Sequence, residues 1–162
     1  MTDGLTSIYP RLWRFCLVLT KSRPAADDLA QATSERAISQ ADKFEIGTDL
    51  DRWLFTIARR IWLNDIRSAK VRSGRGLVSV EDTDLEDNSP PVETNIFAHQ
   101  VLERIQALPE GQRLCVLLVY VEGYSYREAA DMLGIPIGTV MSRLSTARRA
   151  ISDHVGEERM EN

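Results

Sequence analysis

The strongest constraint on this 162-residue chain is the stretch "YSYREAADMLGIPIGTVMSRLSTARR", residues 124–149. Ser125 followed by Glu128 is a capping box, which opens a helix at Tyr126, and Gly134 closes it after Leu133. A turn through Ile135 and Pro136 leads into a second helix from about Ile137 to Ser152, with Val140, Leu144, Ala147 and Ile151 on one apolar face. Ala130, Gly134 and Val140 meet three separate needs of a helix-turn-helix: a small residue for close approach, a positive-φ turn and an apolar anchor. The opposite side of the second helix offers Met141, Ser142, Ser145, Thr146 and Arg149, with Arg143 and Arg148 at the flanks and no acid from 137 to 152. A helix of that width and charge fits the DNA major groove, where its first turns reach base edges and arginines hold phosphate.

The remainder of the chain is also helical in pattern, and the β-branched alternation of strands is nearly absent, so the expected class is all-α. A first apolar helix is expected over Ile8–Leu19, broken at Lys21-Ser22-Arg23-Pro24. In the second, Ala26, Leu29, Ala30, Thr33 and Ala37 form one buried stripe, while Asp28, Gln31 and Glu35 make a polar ridge beside it. A loop around Phe44 to Thr48, with a cap at Thr48 or Asp49, introduces a long helix through about Lys70 whose Leu50, Trp53, Leu54, Ile57 and Ile61 face inward. A further apolar pattern runs from about Ile96 to Leu108, breaks at Pro109 and resumes as a helix ending near Glu122-Gly123.

Charge separates these parts. The net charge of −4 is unfavourable for nucleic acid until it is mapped. Residues 76–103 hold seven acids and no base, whereas residues 52–75 hold seven bases (Arg52, Arg59, Arg60, Arg67, Lys70, Arg72, Arg75) against Asp65 alone. The second run is a candidate phosphate-facing surface, and Phe44, Trp53 and Trp62 among its arginines suit unstacked bases. Core packing serves Trp53 at least as well. Residues 74–94, "GRGLVSVEDTDLEDNSPPVET", have the composition of a linker, dividing the chain into lobes at 1–73 and 95–162.

Other function classes fare poorly. The longest apolar run, "LCVLLVYV" at 114–121, is too short to span a bilayer, and "MTDGLTSIYP" carries no basic leader, so a cytoplasmic location is expected. Cys16 and Cys115 sit singly in apolar patterns and read as reduced core residues; His99 and His154 are isolated, so neither a metal, a cofactor nor an enzyme is expected.

Taken together, "YPRLWRFC", "ADDLAQATSERA", "DRWLFTIARRIWLNDIR" and "LPEGQRLCVLLVYVEGYSYREAADMLGIPIGTVMSRLSTARRAI" resemble bacterial RNA polymerase sigma factors of the small extracytoplasmic-function type. The resemblance implies two helical domains. Residues 1–73 would be the region 2-like domain, binding the β′ clamp of core polymerase through Asp28, Gln31 and Glu35. The same domain would open the −10 element with Phe44, Arg52, Arg59, Arg60, Trp62 and Arg67. Residues 95–162 would be the region 4-like domain, reading the −35 element with Thr139, Met141, Ser142, Arg143, Ser145, Thr146, Arg148 and Arg149. The acidic linker at 74–94 would thread near the polymerase active-site and RNA-exit channels. Implied partners are core polymerase (β′ clamp and β), promoter DNA and an anti-sigma factor. The chain departs from the family pattern at Ala32 and Ser34, where Glu and Phe are usual, at Arg60, where Asn is usual, and at Met141 and Thr146, where bases are usual. The departures at Ala32 and Ser34 keep a second class open, a sigma-like decoy or DNA-binding regulator that engages an anti-sigma protein without initiating transcription.

Overall fold

The computed structural model describes residues 2–74 and 103–160, with side chains to 153 in the last helix. The linker expected at 74–94 and the start of the pattern expected from Ile96 therefore lie almost wholly outside the described residues. The chain divides into two compact units, Met1–Glu86 and Asp87–Asn162.

The first unit is a bundle of three helices: α1 (Thr2–Thr20), α2 (Arg23–Ser39) and α3 (Leu50–Arg72). Helix α1 starts six residues before the Ile8 boundary that periodicity suggests, and it runs through Pro10. That proline lies midway along the helix on its exposed side, where its missing N–H removes one ladder bond. Leu12, Phe15, Cys16 and Leu19, spaced i, i+3, i+4 and i+7, are all buried. Lys21 ends the helix in the left-handed region at φ 55°, and Ser22 then caps α2 by accepting from the Ala25 amide, with Pro24 in the first turn. The buried set of α2 is Ala26, Leu29, Ala30, Thr33 and Ala37, the stripe expected from spacing. Thr33 is tolerated there because its hydroxyl donates to the Leu29 carbonyl at 2.7 Å.

Helix α3 corrects the expected inward set. Its buried residues are Leu54, Phe55, Ile57 and Ala58, whereas Leu50, Trp53 and Ile61 are only half-buried. The Phe55 ring stacks on Phe15 with centroids 4.5 Å apart and planes 3° from parallel, which carries the core between α1 and α3. Two polar ties brace the bundle's edges: Arg11 to Asp51 at 2.7 Å, and Trp13 Nε1 donating to Asp27 at 2.7 Å. A single 3-10 turn at Ala41–Lys43 and the loop to Asp49 join α2 to α3.

In the second unit, residues 103–107 are helical, and Leu108 and Pro109 break the backbone before α4 (Glu110–Val116). The same helix continues as a π-helical turn, Leu117–Val121, in which the Glu122 amide donates to the Leu117 carbonyl. Helix α5 (Tyr126–Leu133) and helix α6 (Ile137–Met160) complete the unit, α6 extending eight residues past the Ser152 boundary expected from sequence. Both α4 and α5 pack on α6, around Leu114, Cys115, Leu118, Ala129, Leu133, Val140, Leu144 and Ala147. Arg113 is buried among them and donates to the Leu108 carbonyl. Among the described residues the sole β feature is an isolated bridge, Ile46 with Thr48. No helix among them is long and apolar enough to cross a membrane.

Candidate nucleic-acid and polymerase interfaces

The hairpin of α5 and α6 is set by local chemistry. Ser125 accepts from the Glu128 amide at 3.1 Å while the Glu128 carboxylate accepts from the Ser125 amide at 2.7 Å, so both halves of the capping box are made. Gly134 closes α5 at φ 65°, a conformation that costs an L-residue, and its neighbour Ile135 donates back to the Ala130 carbonyl. The reversal then delivers Val140, Leu144 and Ala147 to the core at zero exposure.

That anchoring leaves Ser142, Thr146 and Arg149 exposed and Ser145 half-exposed on the outer side of α6. The Ser142 and Thr146 hydroxyls donate to carbonyls one turn back, of Thr139 and Ser142, so their lone pairs stay outward. Thr139 is half-buried, while Met141 is 51% exposed and Ile137, one turn earlier on the same flank, is 42% exposed.

The three arginines of α6 have distinct surroundings. Arg143 is half-buried and turned toward α4: a Cβ built on Gly111 would sit 2.8 Å from its Cζ, and its guanidinium donates to the thiol of Cys115. Burial raises the Cys115 pKa, and the facing Arg143 charge and hydrogen bond oppose that rise. Arg148 is exposed and donates from Nη1 to the Tyr120 hydroxyl at 2.9 Å. Arg149 is exposed and makes no polar contact among the described residues. Sequence reasoning grouped the three as outward cations because the glycine that admits Arg143 lies on another helix.

In the first unit the ridge on α2 is intact: Asp28, Gln31 and Glu35 are all exposed, and Gln31 Nε2 donates to Glu35 at 3.1 Å. The adjacent Asp27 is instead held by Trp13. Ala32 and Ser34 are half-buried, and Ser34 is occupied by the Ala30 carbonyl.

On α3, Arg60 and Arg67 are exposed, Arg59 is half-buried, and Arg52 lies 3.7 Å from Asp49. Residues 52 and 59, like 60 and 67, are two turns apart and share a side away from Leu54 and Ala58. Phe44 and Trp53 meet at the mouth of the loop with centroids 5.2 Å apart, leaving both rings half-exposed. Ile46 at the loop's tip is 99% exposed and was not singled out from the sequence. Trp62 is half-buried, and its Nε1 is the one buried side-chain polar atom without a partner among the described residues.

Comparisons with known proteins align with these two units. Residues 5–72 match sigma-70 region 2, and residues 98–151 match sigma-70, region 4. The chain is 34% identical over 160 residues to the ECF RNA polymerase sigma factor EcfG of Rhodopseudomonas palustris, covering 94% of this chain and 83% of that one. It is 33% identical to the ECF RNA polymerase sigma factor SigL of Mycobacterium tuberculosis, covering 86% of this chain and 80% of that one. Among solved structures it is similar to the sigma factor RpoE of Bartonella quintana, solved in complex with the anti-sigma factor NepR. The TM-score is 0.76, at 28% identity and 96% coverage of each chain.

Proposed function

The chain belongs to the sigma-70 family of RNA polymerase sigma factors, in its extracytoplasmic-function branch, and from that premise we propose how its two units divide the work. The protein is an alternative sigma factor, a non-enzymatic subunit that joins core RNA polymerase and directs it to a particular set of promoters. It works in the cytoplasm, where the polymerase is.

The observation that carries this reading is the order of three surfaces along one chain. An exposed acidic and amide ridge on α2 precedes a basic, aromatic-lined face on α3, and a helix-turn-helix whose second helix carries no acid from 137 to 152 comes after them. Asp28, Gln31 and Glu35 offer acceptors and an amide to a basic helical partner, the β′ clamp. They are free to do so because the α2 core stripe lies on another face. Phe44, Trp53 and Trp62 supply apolar surface for bases leaving the −10 duplex, and Arg52, Arg59, Arg60 and Arg67 supply cations along the strand. Helix α6 lies in the major groove of the −35 element, with Thr139, Met141, Ser142, Ser145 and Thr146 toward base edges and Arg148 and Arg149 toward phosphate. Arg143 is a base or phosphate contact only if it leaves Gly111, so its share is the smallest of the three arginines.

The domain limits that go with this division are 1–73 and 95–162, joined by the acidic segment 74–94. The likeness to a sigma factor bound by an anti-sigma protein supports a partner of that kind for this chain as well. The test is capture of core polymerase by the full chain. Wild type retains core, and the Asp28→Ala/Gln31→Ala double variant loses it while keeping its helicity and melting temperature. A wild-type chain that never binds core is a decoy, and the reading fails.

A further inference from the structure

Helix α4 does not end as an α-helix. Its last turn, Leu117–Val121, is π-helical, and the one extra residue rotates the side chains beyond it by about 100° relative to an unbroken α ladder. Tyr120 lies in that turn and is 49% exposed. Its hydroxyl oxygen accepts from Arg148 Nη1 at 2.9 Å, across 28 residues of sequence, linking the end of α4 to the flank of α6.

We propose that Tyr120 is a positioning residue for promoter binding: its hydroxyl pre-orients the Arg148 guanidinium beside α6, so that the remaining N–H donors meet a DNA phosphate. The inference rests on the reading of α6 as a DNA-reading helix and adds a residue outside the helix-turn-helix to its machinery.

The choice of acceptor is the main argument. A carboxylate at position 120 would orient the same arginine but neutralise it and compete with phosphate for its donors. A phenol oxygen is neutral, so it fixes geometry and leaves the full positive charge. The bond occupies one of five guanidinium donors. An arginine that is free before binding surrenders the rotamer freedom of a long side chain when it docks, whereas one already bonded has surrendered part of it on folding. The contrast within α6 sharpens the assignment. Arg143 is turned inward against Gly111 and Cys115, and Arg149 has no polar contact among the described residues. Arg148 is the exposed arginine held in one pose by a neutral partner.

The experiment measures affinity of the reconstituted holoenzyme for a duplex recovered by selection from a random-sequence library, as a function of salt. Wild type is compared with Tyr120→Phe, Arg148→Ala, Arg149→Ala and the Tyr120→Phe/Arg148→Ala double variant. Loss of a phosphate contact lowers the slope of log affinity against log salt by about 0.9. Arg148→Ala shows that drop. Tyr120→Phe keeps the ring and every charge, so the slope holds while affinity falls about three- to tenfold at each salt, equally for matched and mismatched −35 sequences. In the Arg148→Ala background the same change has no further effect. The proposal is overturned if Tyr120→Phe leaves affinity within twofold of wild type, or if its effect persists without Arg148. A slope lowered by Arg149→Ala but not by Arg148→Ala overturns the proposal and leaves the DNA-reading role of α6 standing. Slopes unchanged in both overturn the two together.

Discussion

Gly111 and Arg143 should be energetically coupled, although one lies in the first turn of α4 and the other in the second turn of α6. Gly111→Ala has two opposed effects. Gly111 is in helical conformation, so alanine there gains up to about 1 kcal/mol in helix propensity. Against this, the new Cβ would stand 2.8 Å from both Cζ and Nη1 of Arg143 and 3.2 Å from its Nε, closer than carbon and nitrogen tolerate. The guanidinium end of a flexible side chain can move aside, but it then leaves its place against α4 and the Cys115 thiol, costing about 1–2 kcal/mol in packing and hydrogen bonding. The single substitution is therefore neutral to mildly destabilising. In an Arg143→Ala background the obstruction is gone and Gly111→Ala stabilises. The expected coupling is about 1–2 kcal/mol, large for a pair in contact and near zero for a pair that is not. The buried cysteines provide the assay: Cys115 reports opening of the second unit by its thiol-labelling rate, and Cys16 reports the first unit as an internal control. Gly111→Ala should leave Cys115 labelling unchanged or faster in the wild-type background. It should slow labelling about fivefold in the Arg143→Ala background, with Cys16 rates constant throughout. The same change in both backgrounds, within about 0.4 kcal/mol, would refute the inward placement of Arg143.

Burial pushes the Cys16 thiol from its ordinary 9.0 up to about 12, so the folded state keeps a proton that the unfolded chain releases above pH 9. The associated stability is complete below pH 9 and declines between pH 9 and 12. From pH 8 to 10, urea unfolding followed by tryptophan fluorescence should lose about 1 kcal/mol more in wild type than in Cys16→Ala. Equal losses would contradict the burial. Ser125→Ala removes the side-chain half of the capping box and should destabilise the second unit by about 1 kcal/mol, read as faster Cys115 labelling with no change at Cys16. Limited proteolysis should cut first within 74–94 and release two resistant fragments; even cutting along the chain would count against that division.

The reach of sequence reasoning was set by locality. The α2 stripe, the capping box, the Gly134 turn and the Val140/Leu144/Ala147 anchor depend on residues within a few turns of one another, and periodicity and capping chemistry find them. Phe55 escaped the expected core because its burial is decided by a partner, Phe15, forty residues earlier. The π turn at Leu117–Val121 has no side-chain signature in an apolar run, and the bond from Arg148 to Tyr120 joins groups 28 residues apart, so neither was legible. The polar ridge of Asp28, Gln31 and Glu35 was legible as a face, because helical spacing alone brings those three side chains together. The arginines of α6 were legible as charges but not as geometry, since Gly111 and Tyr120, which separate their roles, sit on α4.

The central claim is that this chain makes core RNA polymerase initiate at chosen promoters, and run-off transcription tests it most directly. Core polymerase alone and core with the full chain are supplied with templates carrying sequences selected by the holoenzyme. Discrete transcripts should appear only with the chain. Their start points should stay fixed relative to the selected −10 and −35 elements, and they should vanish with Asp28→Ala/Gln31→Ala. No chain-dependent transcript from any selected template, or undiminished transcripts from the double variant, would contradict the account.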